Sequence, residues 1–248
     1  MSDESDLGKD IAAKLAADIY KDLAHPTAER VGRALDSISK IALSPIALID
    51  WSYEQAKDWL KEKISERLRD IPPEFVTGPS LRIAIPVITH VAMAHDSPTL
   101  RDMYAELLLK AMDSRSTQSV HPSYVYLVEQ LSPEEALILK ELHKKPEHEA
   151  MFSSKVESPS YSNEQSLEKQ FTGFCSSIAS CNEKNAAVWL DNMLRLRLLS
   201  IEMYVEPEYV GAKWHQDAYV KSTEIRNLSF TSLGERFIEA CSSPTGVG

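Results

Sequence analysis

Apolar residues recur every four positions at Leu7, Ile11, Leu15, Ile19 and Leu23, the repeat of one helix face. Asp6 and Asp10 suit the positive end of that helix's dipole. His25-Pro26-Thr27 interrupts the pattern, with Thr27 placed to cap a second helix through Val31, Leu35, Ile38 and Ala42. A third helix is predicted over about Tyr53–Asp70, with Ala56, Leu60, Ile64 and Leu68 as its apolar row and Trp59 beside it. Ile71-Pro72-Pro73 ends this helix, and Pro73–Pro79 reads as a turn-rich connector. Leu81–Ala94 is densely apolar. Its start alternates as a strand would, but its alanines and its helical neighbours favour a buried helix.

Two helix starts then share one device. Ser97 precedes Pro98, and Ser132 precedes Pro133. Serine caps well, and proline suits the first helical position, where its missing N–H costs nothing. Leu100, Met103, Tyr104, Leu107, Leu108 and Ala111 form an apolar stripe after the first. Asp113–Ser119 is a polar loop, and His121-Pro122-Ser123 opens a helix with Tyr124, Val125, Val128 and Leu131 as core contacts. Glu134 and Glu135 follow the second Ser-Pro pair as first-turn acids, ahead of Ala136, Leu137, Leu139 and Leu142.

Beyond Lys145-Pro146 the composition changes. Glu147–Gln165 reads as a serine-rich loop with at most one short helical turn, and Phe171–Cys181 as a short helix. Asn182–Leu199 reads as a capped helix. Ile201–Val205 alternates as a strand and can pair with Thr223–Phe230; Thr231 to Gly234 opens a last helix. The expected fold is mainly α. A multi-helix bundle over residues 1–130 precedes a winged-helix-like domain with a small β-hairpin over residues 131–248. The second half rests on fold-level analogy, which does not fix a function.

The segments LRDMYAELLLKAMD, HPSYVYLVEQLSPEEALIL and the proline-containing PSLRIAIPVI resemble the Abi-alpha family of bacterial abortive-infection-type proteins. The resemblance covers roughly Ile71–Leu142, and more weakly the C-terminal part. It implies a cytoplasmic, mainly helical bacterial protein linked to phage defence. It carries over no catalytic residue.

Charge narrows the partners. With 27 basic and 37 acidic residues the chain carries a formal charge of -10, which opposes the phosphate neutralisation that non-specific nucleic-acid binding needs. From residue 131 onward 12 basic residues face 17 acidic ones. If the winged helix read DNA, Lys184, Asn185, Asn192 and Arg195 on the outer face of Asn182–Leu199 would make the contacts, with Asp191 opposing them. Glu54, Asp58, Glu62, Glu66 and Asp70 form a carboxylate ladder spaced by four. Lys57, Lys61, Lys63, Arg67 and Arg69 flank it, so it reads as a self-neutralised face or as a docking face for a basic partner.

Chemistry-bearing patterns are sparse. The three cysteines, Cys175, Cys181 and Cys241, form no CxxC pair and read as buried thiols in a reducing compartment. His90 and His95 fall on different helix faces and cannot chelate one ion. No catalytic, cofactor or metal residues are predicted. Ile38–Trp51 is the nearest approach to a membrane segment but is broken by Lys40, Pro45 and Asp50; a buried helix is expected there, and a membrane-acting toxin is the weaker alternative. The sequence therefore points to a cytoplasmic, non-enzymatic protein that binds another protein, with a homo-oligomer compatible. A DNA-binding regulator is the runner-up.

Overall fold

The Ser-Pro signals fix where the central helices begin. In the computed structural model, which describes residues 52–94, 96–144, 152–157, 166–210 and 219–243, Ser97 accepts a hydrogen bond on its hydroxyl from the Leu100 amide at 3.4 Å. Helix α3 (Pro98–Ala111) follows with proline in its first turn. The helices predicted over Leu7–Leu23 and Val31–Ala42, and the Ile38–Trp51 segment, lie outside the described residues.

Helix α1 (Ser52–Leu68) buries Leu60, Ile64 and Leu68, the row its spacing predicts. Helix α2 (Leu81–Met93) is the buried helix expected, with Ile83, Ala84, Val87, Ile88 and Val91 in the core and Pro86 inside it. Ser80 caps it by accepting from the Arg82 amide at 3.3 Å. Helices α4 (Ser123–Glu129) and α5 (Pro133–His143) complete the run, and Glu134 and Glu135 occupy the first turn of α5. The connector after α1 is fastened to the loop after α3. Thr77 donates to the Met112 carbonyl at 2.7 Å, Ser114 donates to the Phe75 carbonyl at 2.8 Å, and Val76 bridges to Asp113.

The chain divides into two compact units. One holds the described residues up to Pro133 together with Glu239–Ser243; the other spans Glu134–Ile238. The second unit thus starts at Glu134 rather than at residue 131, and the chain from Glu239 groups with the first unit.

In the second unit, strand β1 (Phe152–Glu157) is followed by helix α6 (Leu167–Ser176), a 3-10 turn at Glu183–Asn185 and helix α7 (Ala186–Arg195). Strands β2 (Leu199–Val210) and β3 (Tyr219–Phe230) come next, and helix α8 (Ser232–Cys241) follows them. The sheet is antiparallel in the order β1-β3-β2. Leu199 pairs with Phe230 and Val210 with Tyr219, while Phe152 pairs with Leu228.

Four expectations need correction here. Part of the predicted Glu147–Gln165 loop is a strand, because Phe152 has a cross-strand partner in Leu228 and packs edge-on against Phe171 at 6.2 Å. The hairpin is therefore two strands of a three-stranded sheet, each longer than predicted. Helix α6 starts at Leu167, not Phe171, because Ser166 caps it by accepting from the Lys169 amide. The predicted Asn182–Leu199 helix ends at Arg195, since Arg197 adopts φ 60° and turns the chain into β2.

That reversal is stapled to the start of α8. Thr231 accepts from the Gly234 amide at 2.9 Å and donates its hydroxyl proton to the Arg197 carbonyl. Gly234 lies so close to this turn that an added Cβ would sit 1.9 Å from the Leu198 carbonyl oxygen. Gly173, on the exposed side of α6, has nothing within 4 Å of the same atom. Gly234→Ala is therefore expected to destabilise the protein by about 1–3 kcal/mol through backbone displacement. Gly173→Ala is expected to be neutral or to stabilise by up to about 1 kcal/mol, as in other helix interiors. Chemical denaturation midpoints of the two variants check the contrast.

Candidate functional site

Helix α3 is buried on every side over Met103–Leu109, so Glu106 is buried with it, its side chain only 5% exposed. A lone buried carboxylate is costly. Arg67, in the last turn of α1, answers it: Nη1 lies 3.1 Å from Glu106 Oε1. Ser243 joins the pair, donating to Glu106 Oε1 at 2.8 Å and accepting from Arg67 Nη1 at 3.2 Å. One turn along α3, Lys110 donates to the carbonyls of Glu239 and Ser242, the latter at 3.0 Å. An ammonium on these carbonyls satisfies groups the end of α8 leaves open and opposes its dipole. Burial pushes Lys110 below its ordinary pKa, while nearby Glu106 acts in the other direction.

These groups line a cavity of about 570 Å³, walled on its apolar side by Ile71 and Leu109 and closed at another side by Asp113 and Arg115. Arg115 grips Asp113 through Nε at 2.9 Å and Nη2 at 2.6 Å, and its guanidinium lies 4.8 Å above the Phe75 ring. The Arg115 hydrogen bonds hold the Asp113 carboxyl below its ordinary value, against a smaller opposing effect of burial. Arg67 faces Glu106, Arg115 faces Asp113, and Lys110 faces backbone carbonyls. The arrangement anchors the Glu239–Ser243 segment and the connector rather than poising a nucleophile or base.

A second cluster surrounds His90. Its ring stacks on Tyr104 at 5.6 Å and 10°, meets Tyr126 edge-on at 6.5 Å, and sets Nε2 3.6 Å from Glu129 Oε2. Burial, followed by the charge of Glu129, pushes the Tyr104 hydroxyl well above its ordinary value, so it remains a neutral phenol. His95 lies outside the described residues.

Of the carboxylate ladder, Asp58, Glu62, Glu66 and Asp70 are exposed; Glu54 lies in the first turn of α1. Two of its flanking cations turn towards α3: Arg67 to Glu106, and Lys63 to Asp102 at 3.3 Å.

In the second unit, Lys184 and Asn185 are exposed on the 3-10 turn before α7. Asn192 is engaged within the protein, and the exposed Arg195 bonds to it. Asn192 Nδ2 donates to the buried Glu135 carboxylate at 2.9 Å, and its Oδ1 accepts from Arg195 Nη2 at 2.7 Å. Helix α7 instead exposes Val188 (67%), between Lys184 and Asp191. Further on, β2 exposes Met203 and Val205. The alternation of Ile201, Met203 and Val205 is visible in sequence, but without the sheet order nothing showed that this row would face solvent.

Cys175 and Cys241 are buried, as expected, and Cys181 is half-buried. Burial pushes the Cys175 thiol up to about 12. Among the described residues no group of three or more His, Cys, Asp and Glu is arranged to hold a metal ion, and no helix is long and apolar enough to cross a membrane.

A family model described as Abortive infection alpha matches residues 52–241. No curated protein and no solved structure matches the chain.

Arg67→Met should cost about 1–3 kcal/mol, less than a fully buried pair because Arg67 is partly exposed. Adding Glu106→Leu should recover most of that loss, since the stranded carboxylate disappears; urea denaturation of the single and double variants checks this. Asp113 predicts a pH effect. Its folded pKa is depressed, so the stability it contributes is present above the unfolded carboxyl value of about 3.9 and is lost as pH falls through the lower folded value. Asp113→Asn should therefore flatten the acid limb of the stability–pH curve while lowering stability at pH 7.

Proposed function

The chain belongs to the Abortive infection alpha family, and from that membership we propose that it is a cytoplasmic, non-enzymatic phage-defence protein acting by binding another protein. The second unit serves, in this reading, as a winged-helix-type platform whose outward surface meets the partner.

The observation that favours a protein over a nucleic acid is the engagement of the reading-helix side chains. Base recognition uses amide and guanidinium groups free to reach an edge in the major groove. Asn192 directs its amide to Glu135, and Arg195, itself exposed, shares its guanidinium with Asn192. What α7 offers outward is Ala187 and Val188, with Asp191 and Arg195 further along the helix. Apolar residues beside polar ones suit a protein-contact surface. The acid excess of this half of the chain, 17 acidic residues against 12 basic ones from residue 131 onward, weighs the same way.

The test is a phage challenge of bacteria expressing the full chain, scored by plaque number. Val188→Glu should abolish protection at unchanged protein level and unchanged melting temperature. Lys184→Glu should leave protection intact, and the purified protein should not retard duplex DNA at low salt. Turnover of nucleotide, nucleic acid or peptide by the purified protein, lost on changing one polar side chain, would sink the reading.

A further inference from the structure

The cavity beside Glu106 has a buried floor and an exposed mouth. Glu106, Leu109 and Asp113 are buried, whereas Asp70, Arg115 and Ser243 are exposed. Its volume of about 570 Å³ falls within the range of small-molecule sites. Three cationic side chains, Arg67, Lys110 and Arg115, balance three anionic ones, Asp70, Glu106 and Asp113. A lone anion or a lone cation gains little net attraction from such a lining. A molecule carrying both charges meets an opposite partner for each.

The bonds already made leave particular valences open. Glu106 Oε1 accepts from Arg67 Nη1 and from Ser243, while Oε2 accepts no hydrogen bond among the described residues. The fully enclosed side-chain atoms without a partner there are Arg101 Nε and Asn227 Oδ1, so Oε2 is open to the cavity. A carboxylate oxygen in a side chain only 5% exposed, with no donor, is costly to keep. Arg67 donates only through Nη1. That leaves Nε and Nη2, an edge of the guanidinium that can hold a carboxylate bidentately. The open acceptor and the open donors are neighbours, because Glu106 and Arg67 approach to 3.1 Å. Asp113 offers nothing comparable, since Arg115 takes both of its oxygens. Ile71 and Leu109 supply the apolar wall.

We infer that this cavity binds a free α-amino acid with an aliphatic side chain. The ammonium and carboxylate of such a molecule sit on one carbon. They present a cation beside an anion, the reverse of the Glu106–Arg67 pair. The ammonium donates to Glu106 Oε2, and the carboxylate accepts from Arg67 Nε and Nη2. The aliphatic side chain covers Ile71 and Leu109. No internal bond is broken, since Oε1 and Nη1 keep each other. The site goes beyond the protein-binding reading and does not rest on it.

The experiment titrates the full-length protein with L-leucine by calorimetry. A dissociation constant of about 1 mM or tighter is expected for so small a ligand. 4-Methylpentanoate lacks the ammonium, 3-methylbutylamine lacks the carboxylate, and glycine lacks the side chain. Each should bind about tenfold more weakly or worse. Glu106→Gln should weaken leucine about tenfold and leave 4-methylpentanoate no weaker, because only the ammonium loses its partner. A general collapse of the cavity would weaken both. Ile71→Thr should bring leucine towards glycine and leave glycine unchanged. No saturable heat with leucine at about 10 mM overturns the inference. So does either singly charged analogue binding as well as leucine, or leucine binding unchanged in Glu106→Gln. Should Glu106→Gln not fold, an undiminished preference for leucine over glycine in Ile71→Thr overturns it instead. Phage protection lost in a Val188→Glu chain that still binds leucine bears on the protein-binding reading alone.

Discussion

A helix buried on all sides must bury whatever charge it carries, and α3 carries Glu106 in the middle of its apolar turns. The placement of several other parts follows from that carboxylate. Arg67 must come from the end of α1 to meet it, and Ser243 must come from the far end of the chain. Lys110, on the same side of α3 one turn later, holds the carbonyls of Glu239 and Ser242. The last described residues are thereby tied to the first unit by charge-assisted bonds rather than by apolar burial alone. Such bonds are directional, and removing one partner leaves the other desolvated and unpaired. The network is therefore weak evidence for added stability and stronger evidence for a fixed arrangement of α1, α3 and the chain end.

The same constraint explains what the sequence hid. Period alone marks a stripe on α3, at Met103, Tyr104, Leu107, Leu108 and Ala111, and all five are buried. It cannot show that Ala105, Glu106 and Leu109 are buried as well, because a helix surrounded on all sides has no polar face to mark its orientation. Arg67 was legible only as a counter-charge to the ladder on α1, since its true partner is 39 residues away. Local signals fared better. Both Ser-Pro helix starts, the proline end of α1 and the Thr231 start of α8 depend on interactions within a few residues, and the structure contains them.

Strands required distant partners and were read less well. Phe152–Glu157 has few residues to show an alternation and no turn signal of its own. It becomes a strand because β3 offers it a ladder more than 60 residues later. The end of α7 was missed for a different reason. Leu194, Leu196, Leu198 and Leu199 continue to look helical, and the break at Arg197 needs a positive φ that an arginine rarely adopts. Thr231 makes that conformation tolerable, since its hydroxyl binds the Arg197 carbonyl from the other end of the hairpin. The outward face of α7 was mispictured for the same kind of reason: Glu135, on a helix that precedes it by half a domain, draws Asn192 inward.

The two units differ in how they manage charge, and that difference bears on where a partner can dock. In the first unit the buried charges are matched side by side: Glu106 with Arg67, and Asp113 with Arg115. A ligand displacing either pair would have to replace a charge-assisted bond in a partly dry site, which is expensive. In the second unit the exposed groups carry no such obligation. Val188 on α7 and Met203 and Val205 on β2 are already in water, so covering them releases water without breaking any internal bond. Tyr204 and Glu202, on the other face of β2, are exposed as well. A group that displaced either pair in the first unit would have to replace a charge-assisted bond, whereas covering the exposed side chains of the second unit breaks none.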